Sequence, residues 1–387
     1  MKSFTFHQTT KIIFGSGKIA ELPDVVLSYG TKILLVTTPA TIPALTTQYD
    51  RVKKMLNDNG INVIHFDAVV PNPTVGSISE GALMARENQV EVILGLGGGS
   101  SMDSAKAISV EATHPGSCWD YLFYKDHPDP KKLLPVIAVS TTSGTGSQVT
   151  QVAVVTNPDV RDKSALYNNI LYPQVCIVDP ELMLSVPQFV TACTGFDVFC
   201  HAFESLIHPA NSAYVNMMAW QAISLVIEFL PKLLDEPDNL MAREKVAWAD
   251  TLAGLCIANA GVTLPHGMGM AIGGMYPHIA HGEALAILYP AFAEFTQASE
   301  IFKFAKLARM LNADLNSLPD KTAAKQSPNE LSKFLESLGL KIKLSDVKVP
   351  EEELEALAKQ CMVLPDYQGN PRVPTAEEML ELVTKVY

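Results

Sequence analysis

Four residues in two clusters carry side chains that suit a metal site. Asp197 and His201 lie in the run Thr191-Ala-Cys-Thr-Gly-Phe-Asp-Val-Phe-Cys-His201-Ala-Phe-Glu204. His266 and His281 lie in Pro265-His-Gly-Met-Gly-Met-Ala-Ile-Gly-Gly-Met-Tyr-Pro-His-Ile-Ala-His281-Gly-Glu283. One carboxylate and three imidazoles fit a borderline divalent ion such as Fe(II) or Zn(II). Asp197 and His201 are four apart and share one face of a helix. His266 and His281 are fifteen apart, so only tertiary folding can bring them together. A single histidine is most often a satisfied core or surface residue, and His208 and His278 read that way. Glu204, seven after Asp197 on the same helix face, and Glu283 are the rival carboxylates, neither the first choice as a ligand; the plainer reading of Glu204 is a solvated position. Glu283 reads as an outer acceptor for an imidazole N–H.

Two loops could hold a phosphorylated cofactor. The first, Leu94-Gly-Leu-Gly-Gly-Gly-Ser-Ser-Met-Asp-Ser-Ala-Lys106, follows a strand and opens a helix. Glycines let a ligand approach the backbone, and free amides at a helix N-terminus attract phosphate. The spacing is not Gly-x-Gly-x-x-Gly, because Met102 takes the third position. The plainer reading is a tight turn with Ser100 or Ser101 as N-cap. The second loop, Ser140-Thr-Thr-Ser-Gly-Thr-Gly-Ser147, also follows a strand. Alone it is a solvated loop. Two such loops after parallel strands point to a ligand outside the carboxyl ends of a sheet.

The elements that must position these residues divide the chain in two. Apolar runs at Lys32–Thr37, Ile61–Phe66, Val90–Gly95, Pro135–Ser140, Val152–Thr156 and Gln174–Val178 predict strands alternating with helices. That order predicts a parallel sheet with helices on both faces. Beyond Asp179-Pro-Glu-Leu182 strand signals largely stop. Long helical patterns run over 187–207, 214–234 and 240–259, and more follow to the end. The prediction is an α/β dinucleotide-binding domain over 1–182 and an all-helical metal-binding domain over 183–387.

Composition bounds the partners. The 387 residues carry a net charge of −12, which leaves no basic surplus for a nucleic acid. Hydrophobic content of 48% and charged content of 18% fit a globular protein. No apolar run of a bilayer's length and no signal-peptide core stands out, so neither a membrane span nor export is expected. The six cysteines are scattered without Cys-x-x-Cys spacing, which suits a reducing cytoplasm.

Together these motifs resemble the iron-dependent (group III) alcohol dehydrogenase family. Gly97-Gly-Gly-Ser-Ser-Met-Asp-Ser-Ala-Lys106 is similar to its GGGSxxDxxK loop, and Thr141-Thr-Ser-Gly-Thr-Gly-Ser-Gln-Val-Thr150 to its TTxGTGSEVT loop. Pro71-Asn-Pro-Thr74, Asp179-Pro-Glu-Leu182 and Asn370-Pro-Arg-Val-Pro-Thr375 also match, so the resemblance spans nearly the whole chain. It implies metal-dependent transfer of hydride between a small primary alcohol or aldehyde and NAD or NADP. It implies Asp197, His201, His266 and His281 as ligands to Fe(II), with Zn(II) as the other option. It places Thr38, Asn72, Gly97, Gly98, Gly99, Ser100, Asp103, Thr141, Thr142, Thr145 and Lys163 about the cofactor, and it implies a homodimer or larger homo-oligomer.

Three departures from the family pattern stand out. A proton-relay histidine usually follows the third ligand by four; here Met270 occupies that position, which leaves His278 to supply the relay from a small insertion. NAD-preferring members often carry aspartate at the end of the first strand of the motif; Thr38 stands there, so NADP is admissible. Gln148 replaces a frequent glutamate. His281-Gly-Glu-Ala-Leu-Ala-Ile287 is also similar to the HGExxAI element of dehydroquinate synthases and glycerol dehydrogenases, which keeps polyol oxidation or cyclisation open. A synthase needs several cations for its charged substrate, and residues 185–290 offer only Lys232, Arg243 and Lys245. Pocket size would depend on Phe196, Met270, Met275 and the region of Tyr367.

Overall fold

The computed structural model describes residues 2–127 and 129–387. The chain forms two compact units, His7–Pro187 and Gln188–Tyr387, with the segment ending at Phe6 belonging to the second.

The first unit is built on a six-stranded parallel sheet. Its strands are β1 (Lys11–Phe14), β2 (Lys32–Val36), β3 (Asn62–Phe66), β4 (Val92–Gly97), β5 (Val136–Ser140) and a last strand, Val175–Val178, in the order β1, last strand, β5, β4, β2, β3. Helices α1 (Leu22–Leu27), α2 (Pro43–Asp58), α3 (Val75–Glu87) and α4 (Gly99–Thr113) cover it. The strands are apolar at almost every position because both faces are buried. On one face Ile33, Leu35, Val92, Leu94 and Leu96 meet Leu22 of α1 and Tyr49, Val52 and Leu56 of α2. On the other, Leu34, Val36 and Ile93 meet Ile78 and Ala82 of α3 and Ala105 and Ile108 of α4. The order reverses between β2 and β4, which are neighbours although β3 separates them in the chain. Crevices at such switch points, beyond the carboxyl ends of the strands, are where open α/β sheets take ligands.

One strand expectation is corrected. The segment predicted at Val152–Thr156 does not join the main sheet. It forms β6 (Val152–Asn157), which pairs antiparallel with β7 (Asp162–Tyr167) in a separate hairpin. The last strand of the main sheet is therefore β8 (Val175–Val178). Hydrophobic alternation marks a strand but does not name its partner.

Asp179 explains the Asp-Pro-Glu-Leu motif in which it stands. Its side chain is fully buried at the end of β8. It accepts from the backbone N–H groups of Gly17 (3.2 Å), Ile19 (3.0 Å) and Glu181 (3.1 Å). One carboxylate thus ties the turn after β1 to the turn after β8.

The second unit is helical. Its helices are α5 (Gln188–Ile207), α6 (Ala213–Asp235), α7 (Leu240–Ala260), α8 (Leu264–Met275), α9 (His281–Thr296), α10 (Ile301–Leu311), α11 (Asp320–Ser337), α12 (Leu354–Gln360) and α13 (Ala376–Lys385). Helix α5 is buried over nearly its whole length and packs against α6, α7 and α9. Helix α6, although interrupted by polar residues, is long and apolar enough by length and composition to span a bilayer; half of that stretch is buried among its neighbours.

Replacing Asp179 with alanine strands three backbone donors, each costing about 1–3 kcal/mol when left buried and unpaired. Asp179→Ala is expected to lower stability by about 3 kcal/mol, read as a fall in the urea midpoint, with Asp179→Asn losing less.

Candidate metal centre and dinucleotide loops

In the helical unit, α5 supplies a polar stripe within an apolar helix. Asp197, His201 and Glu204 follow one another at spacings of four and three, so they line one face. All three are buried, with Glu204 fully enclosed. His266 lies in the first turn of α8, and His281 opens α9. Folding brings the four predicted residues together around a single atom. Asp197 Oδ1 lies 3.3 Å from His266 Nε2, 3.6 Å from His201 Nε2 and 4.0 Å from His281 Nε2. The ring centroids of His201 and His266 are 4.5 Å apart, and those of His266 and His281 5.3 Å.

This donor set fits a divalent ion. Ligand atoms at ordinary metal–nitrogen and metal–oxygen distances in a tetrahedron stand about 3.4 Å from one another. Asp197, His201 and His266 offer ligand atoms that all lie within 4.8 Å of one another. Asp197 Oδ1 and His266 Nε2 are both buried, yet neither makes a hydrogen bond. A buried polar atom without a partner is costly, and a cation between these two would engage both.

The electrostatics agree. Burial pushes the Asp197 carboxyl up, but His201, His266 and His281 outweigh it and bring it down to about 2. For His266 burial acts downward, while Glu204 and Asp197 on either side raise the imidazole to about 10. The surroundings therefore favour positive charge at this point.

The plainer reading of Glu204 as a solvated position is corrected. Its Oε1 lies 2.7 Å from His266 Nδ1, and its Oε2 accepts from Thr263 N (2.8 Å) and Thr263 Oγ1 (3.2 Å). With Nδ1–H donating to Glu204, Nε2 is the nitrogen that faces Asp197; in the neutral ring, the form a metal would bind, it carries the lone pair. The signal available in the sequence was a carboxylate within the apolar run Cys200-His-Ala-Phe-Glu-Ser-Leu-Ile207. Glu283 is also corrected: its Oε2 accepts from Ala280 N at 2.8 Å and caps α9 rather than an imidazole.

Gly282 sets the reach of His281. A Cβ there would overlap the Cys193 carbonyl of α5, so only glycine lets the first turn of α9 lie this close to α5. Met270 is buried one turn beyond His266 on α8. His278 is exposed; its Nε2 lies 3.0 Å from the Val347 carbonyl and its ring packs near Tyr276. Neither residue puts a titratable group among the four. His208 accepts from Ala210 N at 2.9 Å. Phe196, expected to shape a pocket, is fully buried against Phe199 and Tyr289. Sequence reading missed Asp366, whose carboxyl is pushed up to about 6 by burial against the downward pull of His266.

In the α/β unit most of the predicted cofactor residues lie just beyond the carboxyl ends of β2, β4 and β5, with Asn72 in the turn before α3 and Lys163 on β7. Thr38 follows β2, and its Oγ1 is 3.0 Å from Tyr49 Oη. Gly97 pairs with Ser140 in the sheet, and Thr141 N donates to Gly97 O at 2.9 Å. A Cβ on Gly98 would lie 2.9 Å from Thr142 Oγ1, and one on Gly99 2.5 Å from Thr145 Cγ2. The two loops thus touch through glycine on one side and threonine on the other. Ser100 is half-buried in the first turn of α4. Asn72 adopts a positive φ of 55° and accepts from Lys163 Nζ of β7 at 2.7 Å. Asp103 turns inward: its oxygens accept from Ser147 Oγ (2.5 Å) and Val154 N (3.1 Å).

Comparison with known proteins shows the family. The family profile of iron-containing alcohol dehydrogenases matches residues 9–180, and that of the family's C-terminal domain matches residues 191–387. The NAD-dependent methanol dehydrogenase of Bacillus methanolicus is 30% identical over 371 residues, covering 96% of each chain. The choline dehydrogenase of Bacillus subtilis is 34% identical, covering 96% of this chain and 92% of its own. Among solved structures, a 1,3-propanediol oxidoreductase superposes with a TM-score of 0.92 at 30% identity, covering the whole of both chains. The chain belongs to the iron-containing alcohol dehydrogenase family. It is a metal-dependent alcohol dehydrogenase, an oxidoreductase of the NAD-linked kind.

Glu204→Gln places an amide N–H against either His266 or Thr263. Loss of such an outer partner typically costs ten- to a hundredfold in metal affinity. The variant is expected to lose its ion at a chelator concentration about tenfold lower than the parent, measured by metal content after dialysis.

Proposed function

We propose that Asp197, His201, His266 and His281 hold one Fe(II) ion, with Zn(II) as a substitute, and that the chain interconverts small primary alcohols and aldehydes. The observation that carries this is the convergence of three imidazole Nε2 atoms on Asp197 Oδ1. The ion supplies Lewis acidity to the alcohol or aldehyde oxygen. Asp197 balances its charge, and Glu204 keeps His266 in the tautomer that offers Nε2. Met270 contributes apolar surface beside the site and no proton.

The cofactor residues proposed are Thr38, Asn72, Gly97, Gly98, Gly99, Ser100, Thr141, Thr142, Thr145 and Lys163, around the loops that end β2, β4 and β5. Close backbone approach at Gly98 and Gly99, together with the N-terminus of α4, suits a pyrophosphate. Relatives in Bacillus subtilis and Clostridium acetobutylicum are named for NADH-dependent butanol turnover. Thr38 brings no carboxylate to repel a 2′-phosphate, so we propose that NADPH is accepted beside NADH. The six cysteines are all buried and none is in a disulfide, which suits the reducing cytoplasm; the working form proposed is a homodimer or larger.

An anaerobic assay tests the reading. Protein stripped of metal and reloaded with Fe(II) or Zn(II) is mixed with butanal and NADH or NADPH. Turnover is expected only after reloading, and His266→Ala should lower it at least about a hundredfold while dinucleotide still binds. Turnover of the parent at full rate without metal would sink the assignment.

A further inference from the structure

Asp366 is a carboxylate beside the metal centre that no other described residue holds. Its neighbours in charge are all engaged. Glu204 takes bonds from Thr263 and His266, Glu283 caps α9, and Asp197 faces three imidazoles. Asp366 lies in the short 3-10 helix Pro365–Gly369, which packs on α8. A Cβ on Gly267 would stand 3.2 Å from Asp366 Cβ, so bare backbone next to His266 lets the carboxylate approach. Its charge acts on both His266 and Glu204. The side chain is half-buried. Among the described residues it accepts only from its own backbone N–H, and no lysine or arginine pairs with it. The turn that carries it is fixed in place. Asn370 Nδ2 donates to Thr296 Oγ1 (2.9 Å) and Arg372 O (2.7 Å), and Gly369 lies against the His208 ring.

A charge count shows what is missing. Asp197 and Glu204 together balance one divalent ion, and ligating imidazoles are neutral. Asp366 is then a surplus negative charge. Its carboxyl, at about 6, is ionised above neutral pH, and a dication nearby favours that form further. A partly dehydrated carboxylate without a counter-charge is costly. We propose that Asp366 selects alcohols carrying a positively charged nitrogen, by pairing with that nitrogen while the reacting hydroxyl occupies the metal centre. The inference rests on the reading that Asp197, His201, His266 and His281 hold the ion. A second hydroxyl in place of the nitrogen would donate a hydrogen bond but leave the charge unbalanced. An anionic substituent would meet like charge and be turned away.

The test uses choline and 3,3-dimethylbutan-1-ol, which share a shape and differ by one charge. At about pH 8, where carboxylates are ionised, kcat/KM for each is measured with metal-loaded protein and NAD. Binding of each to the same protein is followed by calorimetry. The parent is expected to favour choline by about tenfold or more in both measurements. Asp366→Asn keeps the shape and removes the charge, so the ratio of choline to its neutral partner should fall about tenfold. Asp366→Ser should do the same and decides the matter if Asp366→Asn does not fold. Asp366→Glu should recover part of the ratio. A parent that treats the two alcohols alike overturns the inference, as do folded neutral variants that keep the parent's ratio. Choline binding that depends on Asp366, in a protein that turns over no alcohol or needs no metal, overturns the reading of the ion and leaves the charge selection standing.

Discussion

The helical unit turns on one buried carboxylate. Glu204 sits fully enclosed in α5 and has no lysine or arginine to neutralise it among the contacts described. It survives there because its oxygens take three hydrogen bonds, two from Thr263 at the start of α8 and one from His266 in its first turn. Burying a charge is tolerable only when it is met in this way. The requirement brings α8 to α5 in one register. Asp197, two turns back on the same helix face, then meets His266 as a consequence. The third partner arrives through Gly282, whose lack of a side chain lets α9 approach α5 and deliver His281.

The α/β unit solves a related problem by different means. Its sheet is a conventional one, apolar on both faces, and contributes the direction in which β2, β4 and β5 end. What makes those ends chemically useful is the arrangement of short polar side chains around backbone left bare by glycine. Hydroxyls from Thr141, Thr142 and Thr145 stand where larger groups would close the space. Asn72, held at positive φ and bonded to Lys163, joins the Pro-Asn-Pro-Thr turn to the β6–β7 hairpin. Strain of this kind persists where surrounding contacts over-determine the backbone.

Much of this was legible in the chain. Apolar runs marked the strands because both sheet faces are covered, and period 3.6 marked α5, α6 and α7 to within a residue or two. The i, i+4 spacing placed Asp197 and His201 on one helix face. The convergence of His266 with them was not derivable from spacing, since it depends on a turn between helices. Other features were beyond reach for definite reasons. The β6 segment has the pattern of any buried strand, and its partner, Asp162–Tyr167, is half polar and gave no signal. Glu204 carries no mark of its burial except its apolar neighbours; helical spacing put it on the face of Asp197 but could not say whether that position meets solvent or α8. Asp103 and Lys106 read as part of a phosphate loop because their motif begins with glycines. Their inward turn became apparent only with the backbone of residues 147–154 in place.

The sulfur chemistry of the protein has a practical side. Cys193 and Cys200 lie one turn on either side of Asp197 along α5. Both are buried, and burial pushes the Cys193 thiol up to about 12 and raises that of Cys200 well above the usual thiol range. Thiolate is the form that oxidants and alkylating reagents attack, and neither cysteine supplies it near neutral pH. These two thiols are therefore poor targets for oxidants and alkylating reagents despite their place beside the metal ligands.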